Sequence, residues 1–337
     1  RTTIGGVVDR LVEKGLVARE ISRKDRRARE LRISDKGGAV LEKIAPAVAK
    51  TQRILLSGLG EKEAAQFMKL LGKAIGARFM QLGADRVICG RRRDVLQDTA
   101  QKFAQAYGRF VEIEPCDIRD AAAVEDMMER IAQRRPLDIL VNNAAGNFLA
   151  QSHKLSPRAI DAVLNTCLHG AAYCTVAAGR RWVETKRPGV VLSILTLSAL
   201  HGAAFTLPNA MAKAGIDAMT KSLAVEWGPH NIRLVAVAPG NFPTQGAGAR
   251  LTPTGGAGDI DPGVPLRRDG EHGELADLCA FLVSDMAGYV TGETVVIDGG
   301  KRWLAGSRAG MSQMLNWSDE DWARQRASQP ARNREST

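Results

Sequence analysis

An α/β fold built on a doubly wound parallel sheet is predicted for most of this 337-residue chain, on three observations. From residue 74 onward, short apolar runs of strand length alternate with longer amphipathic segments, the pattern of parallel strands joined by crossover helices. The run Asn142-Asn143-Ala144-Ala145-Gly146-Asn147-Phe148 closes the apolar stretch Leu137 to Val141 with small and amide residues. Such a strand end lets a ligand approach the backbone in the crevice outside the carboxyl ends of a parallel sheet. A hydrophobic content of 45% is ample for a packed core at this length, in one or two domains.

A smaller unit precedes that region. Residues Thr2 to Val12 place Ile4, Val7, Val8, Leu11 and Val12 at helical spacing, and Gly15 suits the helix end. Leu16 to Glu20 and Glu30 to Ile33 are short alternating segments that flank the charged tip Ser22 to Arg27, and helices are expected at about Ala39 to Lys50 and Glu61 to Leu71. In the larger region the order is helix Ala74 to Leu82, strand Arg86 to Cys89, helix Asp94 to Tyr107, strand Val111 to Pro115 and helix Ala121 to Arg134. Strands Ile139 to Val141, Val190 to Leu195, Arg233 to Ala238 and Thr294 to Ile297 follow, separated by helical segments. The tail from Ser307 is rich in Arg, Ser and Gln, with a helix at Asp319 to Arg326. The expected boundaries are 1–73, 74–306 and 307–337.

The net charge is +10, and residues 1–73 carry +8 of it. A helix followed by a basic hairpin can read DNA, with Arg23, Lys24, Arg26 and Arg27 at the phosphates; a solvated hairpin is the plain alternative. Five cysteines, an odd number with no CxxC pair and no histidine at ligand spacing, argue against a structural metal and for a reducing compartment, the cytoplasm. No leader is expected, and the longest uncharged stretch, Pro188 to Ala212, is too interrupted by polar residues to span a membrane.

Three features point to a dinucleotide. Arg91 to Arg93 follow the strand ending near Gly90, where an acidic residue would accept a ribose 2′-hydroxyl and an arginine pairs with a 2′-phosphate, so NADP(H) is favoured over NAD(H). Asp117 is placed to meet the adenine edge. Lys213 begins a long amphipathic helix from which it can hold the nicotinamide ribose and lower the pKa of a neighbouring acid.

Residues 74 to 304 resemble the short-chain dehydrogenase/reductase superfamily in the Asn142 to Gly146 run, the lysine helix, Pro239-Gly240 and Asp298-Gly299-Gly300. Gly146 to Phe148, Leu155 to Pro157 and Ala212 to Arg233 look more narrowly like the 2,4-dienoyl-CoA reductase branch. That resemblance implies a Rossmann-like fold and hydride transfer from NADPH to an unsaturated acyl-CoA in fatty acid β-oxidation, in a homo-oligomer, dimer or tetramer. It implies cofactor contacts from Gly72, Arg91, Asp117, Asn143, Ala144, Lys213, Pro239, Gly240 and Phe242. Asn147 would hold the thioester oxygen, Lys213 would order a proton-donating water, and Phe148, Ser156 and Arg250 would line the acyl-CoA site. Residues 1–73 resemble the latter part of a MarR-family winged helix in Val7 to Glu20 and Asp25 to Gly37, which implies duplex DNA as a partner.

Departures from the pattern qualify the expected chemistry. The superfamily's tyrosine position, four residues before Lys213, is Asn209, the alternative tyrosine position is Ser198, and Cys167 stands where relatives carry an amide or acid. The first strand and most of the glycine-rich turn should precede Gly72 but do not; Ile54 to Gly60 only imitates them. The missing strand would be central, leaving its neighbours without ladder partners. An NADPH-dependent reductase is therefore one expectation. A DNA-binding regulator using the reductase fold as scaffold or acyl-CoA sensor, and an inactive fusion remnant, are the others.

Overall fold

The computed structural model describes residues 12–15, 17–21, 29–34, 36, 72–242, 263–304 and 314–327. Arg23, Lys24, Arg26, Arg27, Arg250, the 54–60 segment, the expected helices at 39–50 and 61–71 and all but the end of the first helix lie outside the described residues. The chain divides into two compact units, Arg1–Gly60 and Glu61–Thr337.

In the first unit, β1 (Val17–Ile21) and β2 (Arg29–Ile33) form an antiparallel hairpin in the register Val17↔Ile33 to Ile21↔Arg29. Gly15, at φ +67°, turns the chain into β1, and its carbonyl accepts a 2.6 Å bond from Ser34 Oγ. This is the hairpin that the alternating segments predict.

The second unit follows the predicted alternation. Helix α1 covers residues 72–81, followed by β3 (Arg86–Gly90), α2 (Arg93–Tyr107), β4 (Val111–Pro115), α3 (Ala121–Arg134) and β5 (Ile139–Asn142). Next come α4 (Pro157–Leu164), α5 (Gly170–Glu184), β6 (Gly189–Ile194), α6 (Leu207–Trp227), β7 (Ile232–Pro239), α7 (His272–Val283) and β8 (Glu293–Ile297). Local chemistry sets the boundaries. Asp120 caps α3 by accepting from the amides of Ala122 and Ala123, Ser156 caps α4 ahead of Pro157, and Gly108 ends α2 at φ +64°.

All strand pairs in this unit are parallel, but they form two sheets where one is expected: β3 with β4, and β5-β6-β7-β8. Between β3 and β5 no described strand intervenes, so each is hydrogen-bonded on one edge only among the described residues. The helices hold the two sheets in one layered body. Val87 of β3 and Leu140 of β5 rest on the same core, built by Val124, Met127 and Ile131 of α3, Trp182 of α5 and Val191. On the other face α1 serves both sheets: Ile75 and Phe79 pack with Leu192, Val235 and Leu275, while Met80 packs with Phe103 and Val111.

No helix among the described residues is long and apolar enough to cross a membrane. The longest, α6, turns Asn209, Lys213, Asp217 and Thr220 into the protein, which places polar chemistry beside the sheet.

Candidate active site

The site grows from the end of β5. Asn142 is buried, and its Nδ2 donates to Thr175 Oγ1 at 2.8 Å and to Ser193 Oγ at 3.4 Å, tying the strand end to α5 and β6. The chain then leaves the sheet as the 143–150 loop, whose centre is pinned from two sides. The Gly146 amide donates to Cys167 Sγ at 3.0 Å, and the Gly146 carbonyl accepts from Asn209 Nδ2 at 3.0 Å. Cys167 reaches the loop because Asn165–His169, between α4 and α5, is a single wide π turn that bulges toward it. Burial pushes the Cys167 thiol up, against the opposing pull of the Lys213 charge, so the sulfur is a neutral hydrogen-bonding group here.

Lys213 is 1% exposed, and its Nζ donates to the Ile194 carbonyl, at the end of β6, at 2.6 Å. Burial lowers its pKa. Asn209, one helical turn earlier and also buried, spends its amide on Gly146. The position where the superfamily pattern puts a phenol therefore holds the loop and supplies no acid. Ser198 pairs with Thr196 Oγ1 at 2.6 Å at the start of the short helix Ser198–His201. Asn147 Oδ1 accepts from the Phe148 amide at 2.9 Å, which leaves its Nδ2 as the donating end.

At the end of β7, the Gly240 amide donates to the Ile297 carbonyl at 2.8 Å, and a Cβ on Gly240 would meet the Asp298 Cα at 2.7 Å. Only glycine fits there, next to Pro239. Phe242 is 2% exposed and packs in the core against Gly270, so it shapes the strand end from within. At the ends of β3 and β4, Arg91 is exposed, while Asp117 is half-buried and accepts from Arg119 Nε at 2.9 Å, a bond that holds its carboxyl below the usual range. Gly72 opens the described part of α1; a Cβ there would meet Asn143 Nδ2 at 2.7 Å, and its carbonyl accepts from Arg86 Nη2 at 3.1 Å. Ala144 is exposed.

The geometry thus joins Gly146, Cys167 and Asn209 through direct bonds, with the Lys213 charge felt at Cys167. Other predicted residues have local structural duties. Ser156 is the exposed N-cap of α4, and Phe148 packs on Val163, Cys167 and Ala212. Thr175, Ser193 and the Ile194 carbonyl, which hold Asn142 and Lys213, had no signal in the sequence, because their roles depend on contacts across 19 to 51 residues.

A family model described as enoyl-(acyl carrier protein) reductase matches residues 69–302. The chain belongs to the short-chain dehydrogenase/reductase superfamily. It is 42% identical over 264 residues to an uncharacterised oxidoreductase of Caenorhabditis elegans, covering 75% of this chain and 82% of that one. It is 37% identical over 259 residues to a probable (3E)-enoyl-CoA-producing 2,4-dienoyl-CoA reductase of the same organism, covering 75% and 83%. Among solved structures, a short chain dehydrogenase from Bacillus anthracis superposes with a TM-score of 0.61 at 34% identity, covering 69% of this chain and 92% of that one. The family match begins at residue 69, so the expected winged helix gains no support from it.

Members of this superfamily typically bind NAD(P). The residues at the strand ends fit the nicotinamide half: the Gly240 position is closed to any side chain, the loop at Gly146 is fixed, and Lys213 is buried beside it. The part of the fold that would cradle the pyrophosphate precedes Gly72 and lies outside the described residues.

Proposed function

We propose that residues 69–302 form an NADPH-dependent reductase of a conjugated acyl-CoA, of the 2,4-dienoyl-CoA type. The reading is carried by one observation: Lys213 is buried at the strand ends while the phenol position beside it is Asn209, bonded to the loop. A ketone reductase needs an acid at that position. Reduction of a conjugated thioester needs a donor for the thioester oxygen and can take its proton from water. The cofactor supplies the hydride. Asn147 Nδ2 donates to the thioester oxygen, where negative charge develops, and Lys213 holds ribose and adds positive charge beneath it. Arg91, exposed at the end of β3, pairs with the 2′-phosphate and sets the preference for NADPH. The identity with a probable 2,4-dienoyl-CoA reductase supports this substrate class.

The test is steady-state oxidation of NADPH with a 2,4-dienoyl-CoA, a 2-enoyl-CoA and a simple ketone. Turnover confined to the dienoyl thioester supports the reading, and turnover of the ketone alone sinks it.

A second reading concerns the first unit alone, favoured by the β1–β2 hairpin register. Its connecting residues include Arg23, Lys24, Arg26 and Arg27, which would contact the phosphates of duplex DNA. A salt-dependent mobility shift that Arg26→Ala with Arg27→Ala removes would support it, and an unchanged shift would refute it.

A further inference from the structure

Arg267 holds a backbone conformation that its residue type disfavours and spends its side chain on a distant part of the chain. Its φ is +57°, in the left-handed region where an L side chain is strained and glycine is not. Such a residue persists where its surroundings determine it, and it concentrates at clamps and binding sites. The Arg267 amide donates to the Val264 carbonyl at 2.9 Å, closing a tight turn. Its guanidinium reaches the C-terminal segment, where Nη2 donates to the Leu315 carbonyl at 2.6 Å and Nη1 donates to Asn316 Oδ1. That segment has its own structure. Ser318 Oγ accepts from the Asp321 amide at 3.2 Å at the start of the helix Asp319–Ala327, and the rings of Trp317 and Trp322 meet edge to face at 4.9 Å.

The turn closed by Arg267 also walls a cavity at the carboxyl ends of β7 and β8. Val264, Leu266 and Arg268 line this cavity together with Asn241, Ile297 and Asp298. The Leu266 amide donates to the Gly299 carbonyl at 3.2 Å, and a Cβ on Gly299 would meet Val264 Cγ1 at 2.7 Å. Next to Gly299, Asp298 rests against Gly240 with no room for a side chain between them. Contacts therefore run without a gap from the C-terminal segment through Arg267 to Val264 and Leu266, and on through Gly299 and Asp298 to Gly240. We propose that Arg267 is a positioning residue. By tying the C-terminal segment to the 264–267 turn it keeps Asp298 seated on Gly240, and so fixes the strand end that receives the nicotinamide half of the cofactor. The clamp stands on these bonds; its effect on the cofactor rests on the reductase reading.

The test compares the full chain with Arg267→Gly, which suits the left-handed backbone and removes only the side-chain bonds, and with Arg267→Lys, which keeps the charge. Hydrogen–deuterium exchange reads the clamp. In the Gly variant exchange should quicken at least about tenfold in residues 264–270 and 299–302 and stay unchanged in the strand at 189–194. Nicotinamide fluorescence and steady-state kinetics read its effect: Kd and KM for NADPH should rise about tenfold, with kcat held within about twofold. Arg267→Lys should recover part of both changes. Unchanged exchange in residues 264–270 would overturn the proposal, as would faster exchange that spreads to 189–194. Unaltered NADPH affinity in the Gly variant, with the parent chain binding NADPH, would overturn this proposal alone. A parent chain that binds neither NADPH nor NADH would overturn the reductase reading and the positioning role with it.

Discussion

The two sheets of the larger unit have the same strand chemistry and opposite fates. In β5 to β8 the ladders run from strand to strand, β6 and β7 are buried, and polar groups can be taken inside because each finds a partner: Asn142 with Thr175 and Ser193, Lys213 with the Ile194 carbonyl. Among the described residues β3 and β4 share a single ladder, Cys89 is exposed, and charge takes over part of the holding. Glu114 of β4 is clasped by Arg130 at 2.9 Å and by Arg134, and Glu112 by Arg134 and Arg135. A completed sheet can position catalytic groups by hydrogen bonds; an interrupted one leans on side chains from the flanking helix. The difference teaches that buried polar groups are positioned by hydrogen bonds where the described ladders are continuous, and by ion pairs from a helix where they are not.

That contrast can be broken from either side. The largest expected effect is Lys213→Met, which removes the buried charge from the complete sheet and lowers turnover by about two to four orders of magnitude. Stability should survive. Because burial lowers the Lys213 pKa, the unfolded chain binds that proton more readily than the folded one. The resulting penalty is fully present below the lowered pKa and fades as pH rises into the ordinary lysine range, so in the Met variant this rise of stability with pH disappears from chemical denaturation curves. Asn147→Ala should cost about a hundredfold in kcat for a dienoyl thioester with a smaller change in KM, as loss of a donor to a developing oxyanion does.

Next in size is Gly240→Val, which drives a side chain into Asp298 and should lower stability by about 2 to 4 kcal/mol in a denaturant titration. In the β3–β4 half, Glu114→Gln should cost about 2 kcal/mol. Burial alone would raise the Glu114 carboxyl, but hydrogen bonds from Arg134 and Arg130 outweigh it and hold the pKa below the ordinary range. This contribution is therefore present above the ordinary glutamate pKa and lost as pH falls through the lowered one, and the Gln variant should flatten that acid limb. The smallest effect is expected from Asn209→Ala, about 1 kcal/mol, because the Gly146 carbonyl loses its amide donor and keeps only the long, weak bond from the Cys167 thiol at 3.5 Å.

Much of this was legible in the residues themselves. Strand and helix alternation from residue 74, the hairpin around the charged tip and the breaks after Val141 and Ala238 follow from periodicity and small residues, and the structure has each of these elements. The motif expected before Gly72 lies outside the described residues. Two things were not legible. The division into two sheets depends on which edges find partners, a long-range property that no local window contains. The duty of Asn209 is equally hidden, because an asparagine in the first turn of a helix looks the same whether it faces solvent or holds a loop 63 residues away. Ser156 shows the converse: its residue type fits both a substrate contact and an N-cap, and the structure gives it the cap.

The central claim is that this chain binds NADPH. The most direct test titrates the purified full chain with NADPH and follows nicotinamide fluorescence, with NADH as the comparison and Arg91→Glu as the specificity control. Saturable binding that favours NADPH, with the preference lost in the Arg91 variant, is the expected result. A folded protein that binds neither nucleotide would contradict the account.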